Sequence, residues 1–346
     1  MAKALRTEAL LDFLRAVQQD ARRLVAPVEE DGLRLFRAVD RVEEITLAEG
    51  NTRWSFKEVL FPRSEALFHY RLSGGSVALQ EPDQPEGETV VFGARPCDAA
   101  GLAVLDAVFA PNGRPDPDQA PEHEDPFYRR RRAQTTIIGL ACLEPGPACF
   151  CTAVGLSPTG TAGSDLLLTP LPDQGVFLAE AVTEKGERLL AAHAHLFTDT
   201  DDTKEQATRA AEGRIQRTAL SGVGGPLATL FEAPPWEELA ARCLGCGACA
   251  FVCPTCHCFD IVDEGNAAGG SRCKFWDSCG FALFTAHTSG HNPRATQPAR
   301  FRQRVLHKFR YLPERFGVQG CVGCGRCIAT CPVNMDIQEV VAKVTG

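Results

Sequence analysis

The cysteines of this chain are unevenly placed: none occurs before residue 97, and twelve of the sixteen lie from residue 243 onward. Eight of those twelve repeat one spacing, Cys-x2-Cys-x2-Cys-x3-Cys-Pro, at residues 243–254 and again at 321–332. Thiolates are soft ligands, and cysteines with two residues between them can wrap a turn of backbone around one centre. The repeated spacing therefore predicts metal or cluster ligation.

The spacing is that of [4Fe–4S] runs, in which three cysteines ligate one cubane and the fourth ligates the other cluster. We expect glycines beside the cysteines to let the backbone fold closely around inorganic sulfide. Structural zinc is the alternative, but zinc needs only two CxxC pairs, so the doubled run favours clusters. The sequence thus predicts one cluster on Cys243, Cys246, Cys249 and Cys331, and a second on Cys321, Cys324, Cys327 and Cys253.

Four more cysteines follow two apolar, strand-like runs. Cys97 comes after TVVFGA (89–94), and Cys142, Cys149 and Cys151 come after TTIIGL (135–140). Ligand sites of open α/β sheets lie at the carboxyl ends of such strands. These four thiols predict a third [4Fe–4S] cluster in the amino-terminal domain. The alternative is a set of buried thiols that act as small hydrophobic side chains.

The remaining cysteines are Cys256, Cys258, Cys273 and Cys279. For Cys256, Cys258 and Cys279, three interpretations are open: hydrogen bonds to cluster sulfur, tuning of reduction potentials, and a surface that binds a partner. A further cluster that uses all four is another alternative. The eight histidines have no paired ligand spacing on one helix, and His257, His287, His291 and His307 are interpreted as packing or surface residues.

Composition narrows the class of protein. The net charge of −8 gives no support to bulk nucleic-acid binding. No run approaches eighteen apolar residues, and the opening MAKALRTEALLDFLRAVQQDARR has no signal-peptide core, so we expect neither a membrane span nor secretion. We expect a cytoplasmic protein, where thiols stay reduced and disulfides are rare.

The pattern of elements predicts an α+β fold. We expect a mixed α/β domain at 1–234 and a helical two-cluster, ferredoxin-like domain at 235–346, because 67 residues with helical-looking stretches separate Cys253 from Cys321. The apolar runs predict a buried, partly parallel sheet in the first domain. A helix is predicted at 5–24, and strands are predicted at 33–39, 54–61, 66–72 and 89–94.

Residues 271–316 carry a local charge of +7 inside an acidic chain. Thiolate-ligated clusters are anionic, so cations beside them would raise their reduction potential. A solvated helix face and a dock for an acidic redox partner are the alternatives. The chain has no GxGxxG after a strand, no GxxxxGK[ST] and no GxSxG, which indicates that chemistry takes place on other subunits.

Several motifs together resemble a known family. They are FPRSEALF (61–68), GARPCD (93–98), the Cys142…Cys149-Phe150-Cys151 block, CLGCGACAFVCPTCHCFD (243–260), WDSC (276–279), RFRQRVLHKF (300–309) and GCVGCGRCIATCPV (320–333). With them, the chain is similar over nearly its whole length to the iron–sulfur β subunit of soluble, sulfhydrogenase-type [NiFe] hydrogenases. It is about equally similar to the iron–sulfur subunit of anaerobic sulfite reductase.

The resemblance implies an electron-transfer subunit rather than a catalytic one. Its partners would be a flavin subunit that binds NAD(P)H and the small and large subunits of a hydrogenase, or else a sirohaem-containing subunit of sulfite reductase. The motif GARPCD is closer to the hydrogenase branch of the family than to the sulfite reductase branch. A subunit whose clusters only hold a domain together is the alternative from a different class.

Overall fold

The apolar runs that follow one another through the first half of the chain form most of a large sheet. The computed structural model describes residues 2–21, 23–83, 87–110, 124–215, 220, 231 and 236–345. The strands of these residues are β1 (Ala2–Arg6), β2 (Arg23–Glu30), β3 (Leu33–Ala38), β4 (Ser64–Ser73), β5 (Ser76–Gln80), β6 (Thr89–Ala94), β7 (Thr135–Leu140), β8 (Leu166–Leu171), β9 (Val176–Ala181), β10 (Phe197–Thr200), β11 (Phe259–Asn266) and β12 (Gly269–Trp276).

The helices are mostly short, as expected for segments that connect strands or surround a centre. They are α1 (Leu10–Asp20), α2 (Lys57–Leu60), α3 (Pro96–Ala100), α4 (Leu102–Phe109), α5 (Pro126–Ala133), α6 (Glu184–Ala192), α7 (Glu205–Gly213), α8 (Trp236–Ala240), α9 (Ala248–Phe251), α10 (Gln297–Leu306), α11 (Leu312–Phe316), α12 (Arg326–Ala329) and α13 (Ile337–Thr345). A π-helical turn, His307–Tyr311, joins α10 to α11. None of the described helices is both long enough and apolar enough to cross a membrane.

The large sheet is mixed, with a parallel centre. Among the described residues its order is β10-β1-β9-β8-β7-β6-β2-β3. The pairs β2·β6, β6·β7 and β7·β8 are parallel, and the outer pairs are antiparallel. Side chains alternate between the faces: Val90 and Phe92 pack on the side of α1, whereas Val91 packs on the side of α4 and α5. Burial on both faces explains the continuous apolar strands.

A second sheet pairs strands that are distant from each other in the sequence. Its order in the described residues is β11-β12-β4-β5, and all its pairs are antiparallel. The hairpin β11–β12 comes from the segment between the cysteine runs, and β4–β5 comes from the first quarter of the chain. Lys274 of β12 fastens the junction through Glu65 at 2.7 Å and Asp125 at 2.8 Å.

The predicted α+β class is confirmed, but several predicted elements are wrong. The strands at 33–39, 66–72 and 89–94 are present, the last with its predicted bounds. The helix predicted at 5–24 is shorter, because residues at both of its ends belong to β1 and β2. The strand predicted at 54–61 is instead the turn of helix α2. The hairpin between the cysteine runs was not predicted.

The carboxy-terminal part has a core of its own. Phe301, Val305 and Phe309 from α10 and the π turn pack against Val341 of α13 and Trp236 of α8. This part is helical apart from the hairpin, as the sequence predicted. The boundary predicted between residues 234 and 235 lies outside the described residues.

One buried ion pair ties the second cysteine run to the large sheet. Arg326, at the start of α12, binds both carboxylate oxygens of Asp98 in α3, with distances of 2.6 and 2.8 Å. It also donates to the backbone and the side chain of Thr52. Neither charged side chain is more than 4% exposed. A buried pair of this kind is costly to break from one side, because the remaining charge has no partner.

We expect Arg326→Met to lower the apparent free energy of unfolding by about 3–5 kcal/mol, because it leaves the Asp98 carboxylate buried and unpaired. Arg272→Met is the matched control: Arg272 also binds an aspartate, Asp263, through two contacts, but both side chains are nearly half exposed. We expect it to cost at most about 1 kcal/mol. Anaerobic denaturant unfolding followed by circular dichroism measures both, and equal losses would contradict the prediction.

Candidate metal centre

The two cysteine runs have the same local fold. Helix α9 begins after Gly247 and helix α12 begins after Gly325, and these glycines have nearly identical left-handed conformations, with φ of 74° and 71°. In each run the third cysteine lies in the first turn of the helix and the fourth follows its end. Glycine adopts this conformation without the cost that a side chain would bring. The shared spacing thus produces a shared backbone turn.

The first cavity takes thiols from both runs. Its wall contains Cys243, Cys246 and Cys249 from the first run together with Cys331 from the end of the second. The cavity measures about 60 Å³. Cys246 is exposed, and the neighbouring Leu244 is 66% exposed, so this centre lies at the protein surface.

The second cavity has the reciprocal composition. Cys321, Cys324 and Cys327 line it together with Cys253, the last cysteine of the first run. Its volume is about 10 Å³, and three of its four cysteines are buried. Cys327 also lines the first cavity, so the two cavities are neighbours.

These thiol sets suit a cluster better than a single ion. All sixteen cysteines lie in described residues and are free thiols. In that part of the chain, no three Cys, His, Asp or Glu side chains converge closely enough to hold one metal ion. Thiols that each bind a different iron of a cubane lie further apart than the four ligands of one zinc ion. The donor set therefore fits [4Fe–4S] clusters.

Several sulfur atoms accept hydrogen bonds from fixed donors. Gln297 Nε2 lies 3.2 Å from Cys243 Sγ, and the backbone N–H of Met335 lies 3.2 Å from Cys331 Sγ. Lys308 Nζ donates to Cys253 Sγ at 3.2 Å. Hydrogen bonds of this kind stabilise the thiolate form and tune the potential of a bound cluster.

Three buried cations lie near Cys253, and two of them, Arg304 and Lys308, line the second cavity. Lys57, Arg304 and Lys308 are each at most 8% exposed, and none makes an ion pair with a carboxylate of the described residues. Lys57 Nζ donates to the carbonyl oxygens of Cys253 and Cys256 and lies 4.0 Å above the ring of Trp276. Burying an unpaired charge is unfavourable, so this arrangement requires anionic sulfur beside it.

The cations have opposite pKa shifts. Burial lowers the pKa of Lys57 to about 8. Burial opposes the charge of Lys308 as well, but the sulfurs of Cys253 and Cys256 outweigh it and raise the pKa of Lys308 above its ordinary value. Lys308 therefore stays charged in the interior. It lies in the π turn, a rare element that often occurs at functional sites.

The amino-terminal cysteines gather beside the second cavity. Cys97 follows β6 and Cys142 follows β7, which are adjacent parallel strands. Asn51 contacts the sulfurs of Cys97 and Cys149 at 3.8 and 3.7 Å and donates to the Cys324 carbonyl at 2.8 Å. The structure thus brings this set together and places it against the second run.

Burial raises the pKa of Cys97, Cys142 and Cys151, which keeps these three thiols protonated when nothing is bound. It raises the pKa of Cys142 to about 11, although the Arg95 guanidinium acts in the other direction. It raises the pKa of Cys151 to about 12. Because a metal binds the thiolate, loading this set would release protons.

The remaining cysteines divide into two places. Cys256, Cys258 and Cys279 line a small cavity with His257 and His307. Cys273 lies instead in β12, where it pairs with Val262 and Ala66 of the flanking strands. The structure therefore does not assemble a site from all four of these cysteines, because Cys273 lies in the middle of the hairpin and the others lie at its open end.

Sequence reasoning missed two residues of the site. Asn51 links the amino-terminal thiols to Cys324, and Lys57 donates a hydrogen bond to the Cys253 carbonyl of the first run. Nothing in the sequence around Asn51 distinguishes it. Lys57 had a weak signal, since it is a lysine within the apolar stretch WSFKEVLF, which was interpreted as a strand.

Comparison with known proteins agrees with this geometry. Residues 242–335, which contain both runs, match the family model of the 4Fe-4S dicluster domain. We refer to this segment as the dicluster domain. The dicluster domain accounts for the two reciprocal cavities and for the predicted [4Fe–4S] cofactors.

The similarity extends beyond the dicluster domain. The chain is 29% identical to sulfhydrogenase 2 subunit beta of Pyrococcus furiosus over 98% of this chain and 97% of that protein. No solved structure matches the chain significantly. The predicted resemblance to a sulfhydrogenase β subunit is confirmed, and with it the prediction of an iron–sulfur electron-transfer subunit.

Gly323 allows the dicluster domain to approach the amino-terminal cysteines. A Cβ at this position would lie 2.5 Å from the backbone of Cys151, and the residue has φ of +63°. We expect Gly323→Ala to lower stability by several kcal/mol and to separate the amino-terminal thiols from the second run. Both the left-handed conformation and the steric clash contribute to this effect.

Gly317→Ala separates the two contributions. Gly317 has a similar φ of +66°, but a Cβ there would meet nothing within 4 Å. We expect it to cost only about 1–2 kcal/mol, the backbone contribution alone. Thermal unfolding under anaerobic conditions compares the two variants, and a Gly323→Ala loss no larger than that of Gly317→Ala would refute the close approach.

Proposed function

We propose that this chain relays electrons between a flavin subunit that binds NAD(P)H and the core of a [NiFe] hydrogenase of the sulfhydrogenase type. The observation that carries the proposal is a continuous series of three thiol sets, which runs from the exposed Cys246 through the buried second cavity to the amino-terminal cysteines. Bound [4Fe–4S] clusters supply one-electron carriers at such sets.

We propose a ligand assignment for the dicluster domain that the composition of its cavities supports. Cys243, Cys246, Cys249 and Cys331 would hold the surface cluster, and Cys321, Cys324, Cys327 and Cys253 would hold the inner one. Each run would therefore complete the cluster of the other. The lining of both cavities supports this assignment.

A third [4Fe–4S] cluster on Cys97, Cys142, Cys149 and Cys151 extends the series. The contacts of Asn51 with both Cys149 and the Cys324 carbonyl support this part of the proposal, because they connect the third set to the inner cluster site. The sulfur of Cys149 itself lies 3.6 Å from the Cys324 carbonyl. Removing the third set would thus shorten the relay at its buried end.

The order of the sets suggests where partners bind. The surface cluster beside Leu244 and Cys246 offers one point of exchange with a partner protein. The partners we propose are the small and large subunits of a hydrogenase and the flavin subunit that binds NAD(P)H. Free thiols and clusters of this number suit a reducing compartment, so we also propose a cytoplasmic location.

A sulfite reductase complex is the second candidate, with this chain in the place of its iron–sulfur subunit. The similarity of the whole chain to a sulfhydrogenase β subunit favours the hydrogenase complex. Native mass spectrometry of the intact complex distinguishes the two, since the nickel–iron and sirohaem subunits differ in mass and cofactor.

A relay also differs from a structural role in a redox titration. We expect dithionite to reduce the clusters reversibly, with paramagnetic signals that disappear on reoxidation. We also expect Lys308→Met to lower the potential of the inner cluster by about 60 mV or more, which is a tenfold change for a one-electron couple. The reason is that the variant removes a buried cation beside Cys253.

Arg310→Met is the control for the titration, because Arg310 lies in the same π turn but pairs with Glu314 near the surface. We expect its effect on the potential to be small. Clusters that stay redox-silent with dithionite would exclude the relay. A shift of equal size in both variants would exclude the specific role of Lys308.

Reciprocal cysteine variants test the ligand assignment. In Cys253→Ser we expect the EPR signal of the inner cluster to be lost or altered while that of the surface cluster persists. In Cys331→Ser we expect the opposite. Each variant is the control of the other, and the assignment fails if Cys253→Ser affects only the cluster of its own run.

A further inference from the structure

The hairpin β11–β12 brings two distant cysteines side by side. Its register pairs Phe259 with Trp276, and the backbone N–H of Asp277 donates to the Cys258 carbonyl at 2.9 Å. Cys279 follows two residues later, and it lines the same small cavity as Cys258. The open end of the hairpin is therefore built around a pair of thiols.

A third thiol and two imidazoles complete the same cavity. Cys256, His257 and His307 line it with the cysteine pair. Its volume of about 10 Å³ equals that of the cavity between Cys253 and the second run, and Arg304 and Lys308 line both. The two cavities are thus alike in size and in the cations that they share, and three cysteines line this one against four in the other.

Buried positive charge lies against this third thiol. Arg304 Nη1 is 3.6 Å from Cys256 Sγ, as Lys308 Nζ is 3.2 Å from Cys253 Sγ. A cation beside a sulfur favours the thiolate, which is the form that ligates iron. Arg304 has no carboxylate partner in the described part of the chain, so its charge is available to this sulfur.

His307 supplies a fourth donor. It begins the π turn, and neither of its ring nitrogens makes a hydrogen bond to a described residue; its ring packs edge-on against His257. Histidine replaces cysteine as a ligand in some iron–sulfur clusters. The sequence interpretation of His307 as a packing or surface residue did not include this possibility.

We propose that Cys256, Cys258 and Cys279, with His307 at the fourth position, hold a further iron–sulfur cluster. The proposal rests on the electron-relay function above and adds a carrier to it. Arg304 and Lys308 line both this cavity and the inner cavity, and Cys279 also lines the surface cavity. The site therefore adjoins both cavities of the dicluster domain and lies beside the hairpin.

The test compares iron and acid-labile sulfide in the intact, anaerobically reconstituted chain. We expect Cys258→Ser to lose two to four irons per chain, according to whether the cluster has two or four irons, and Cys256→Ser to lose the same number. Cys273→Ser is the matched control, since Cys273 is a buried thiol of the same hairpin that lies outside the cavity. We expect it to keep the full iron content.

Spectra separate loss of this site from misfolding. The EPR signals of the two dicluster clusters should persist in Cys258→Ser, and the far-UV circular dichroism should match that of Cys273→Ser. His307→Ala should keep more iron than Cys258→Ser but change the potential or EPR signal of the added cluster, and His307→Cys should restore the iron content.

Two results would overturn the proposal. One is an unchanged iron content in both Cys256→Ser and Cys258→Ser, which would make these residues ordinary thiols. The other is an iron loss in Cys258→Ser that Cys273→Ser reproduces, which would make the effect one of folding. Neither result would contradict the proposed electron relay. That proposal fails only if the clusters cannot be reduced reversibly. A Cys149→Ser, Cys151→Ser double variant reports the amino-terminal set independently.

Discussion

Negative charge held in the interior is the constraint on which this structure depends. A thiolate cluster is an anion, and an anion inside a protein is stable only where positive charge or fixed donors accompany it. Lys57, Arg304 and Lys308 provide that charge, and they come from two regions of the chain about 250 residues apart by the numbering. Since carboxylates do not neutralise them in the described residues, the cations and the sulfurs stabilise each other. The surrounding fold has to hold both.

The same constraint explains how the amino-terminal sheet and the dicluster domain are joined. Asp98 follows a strand of the large sheet and binds Arg326, which lies beside Cys327 at the start of its helix. The glycines of the second run allow its backbone to lie directly on the loop that carries Cys149 and Cys151. This contact is close enough that no side chain fits between the two. The result is one continuous sulfur-rich interior rather than two separate centres.

The sequence was most informative where chemistry limits the spacing of residues. The cysteine runs predicted the dicluster domain, because ligation of a cubane tolerates few other spacings. The strand at 89–94 was predicted with its bounds, since burial on both faces leaves a continuous apolar run. Residues 54–61 looked equally apolar but form a helical turn around Lys57, whose position is set by contacts with residues 196 and 199 positions later. Such contacts, like those of Asn51, have no local signature.

The hairpin was missed for a related reason. Its strand β11 is exposed along most of its length, so the alternation that identifies a half-buried strand is weak there. The hairpin pairs with β4, which lies in the first quarter of the chain. The motif WDSC could be recognised as part of a resemblance, but the pairing that places Cys279 next to Cys258 is visible only in the fold.

The second sheet also constrains the order in which the parts of the protein can fold. His69 of β4 meets Ser271 of β12, a partner synthesised 202 residues later. Until the ribosome has produced that hairpin, β4 presents an open edge that invites pairing with other chains. Pairings between such distant residues form slowly. The free edge of β4 is therefore covered only once residues 269–276 have been synthesised, so the second sheet is completed late in the folding of the chain.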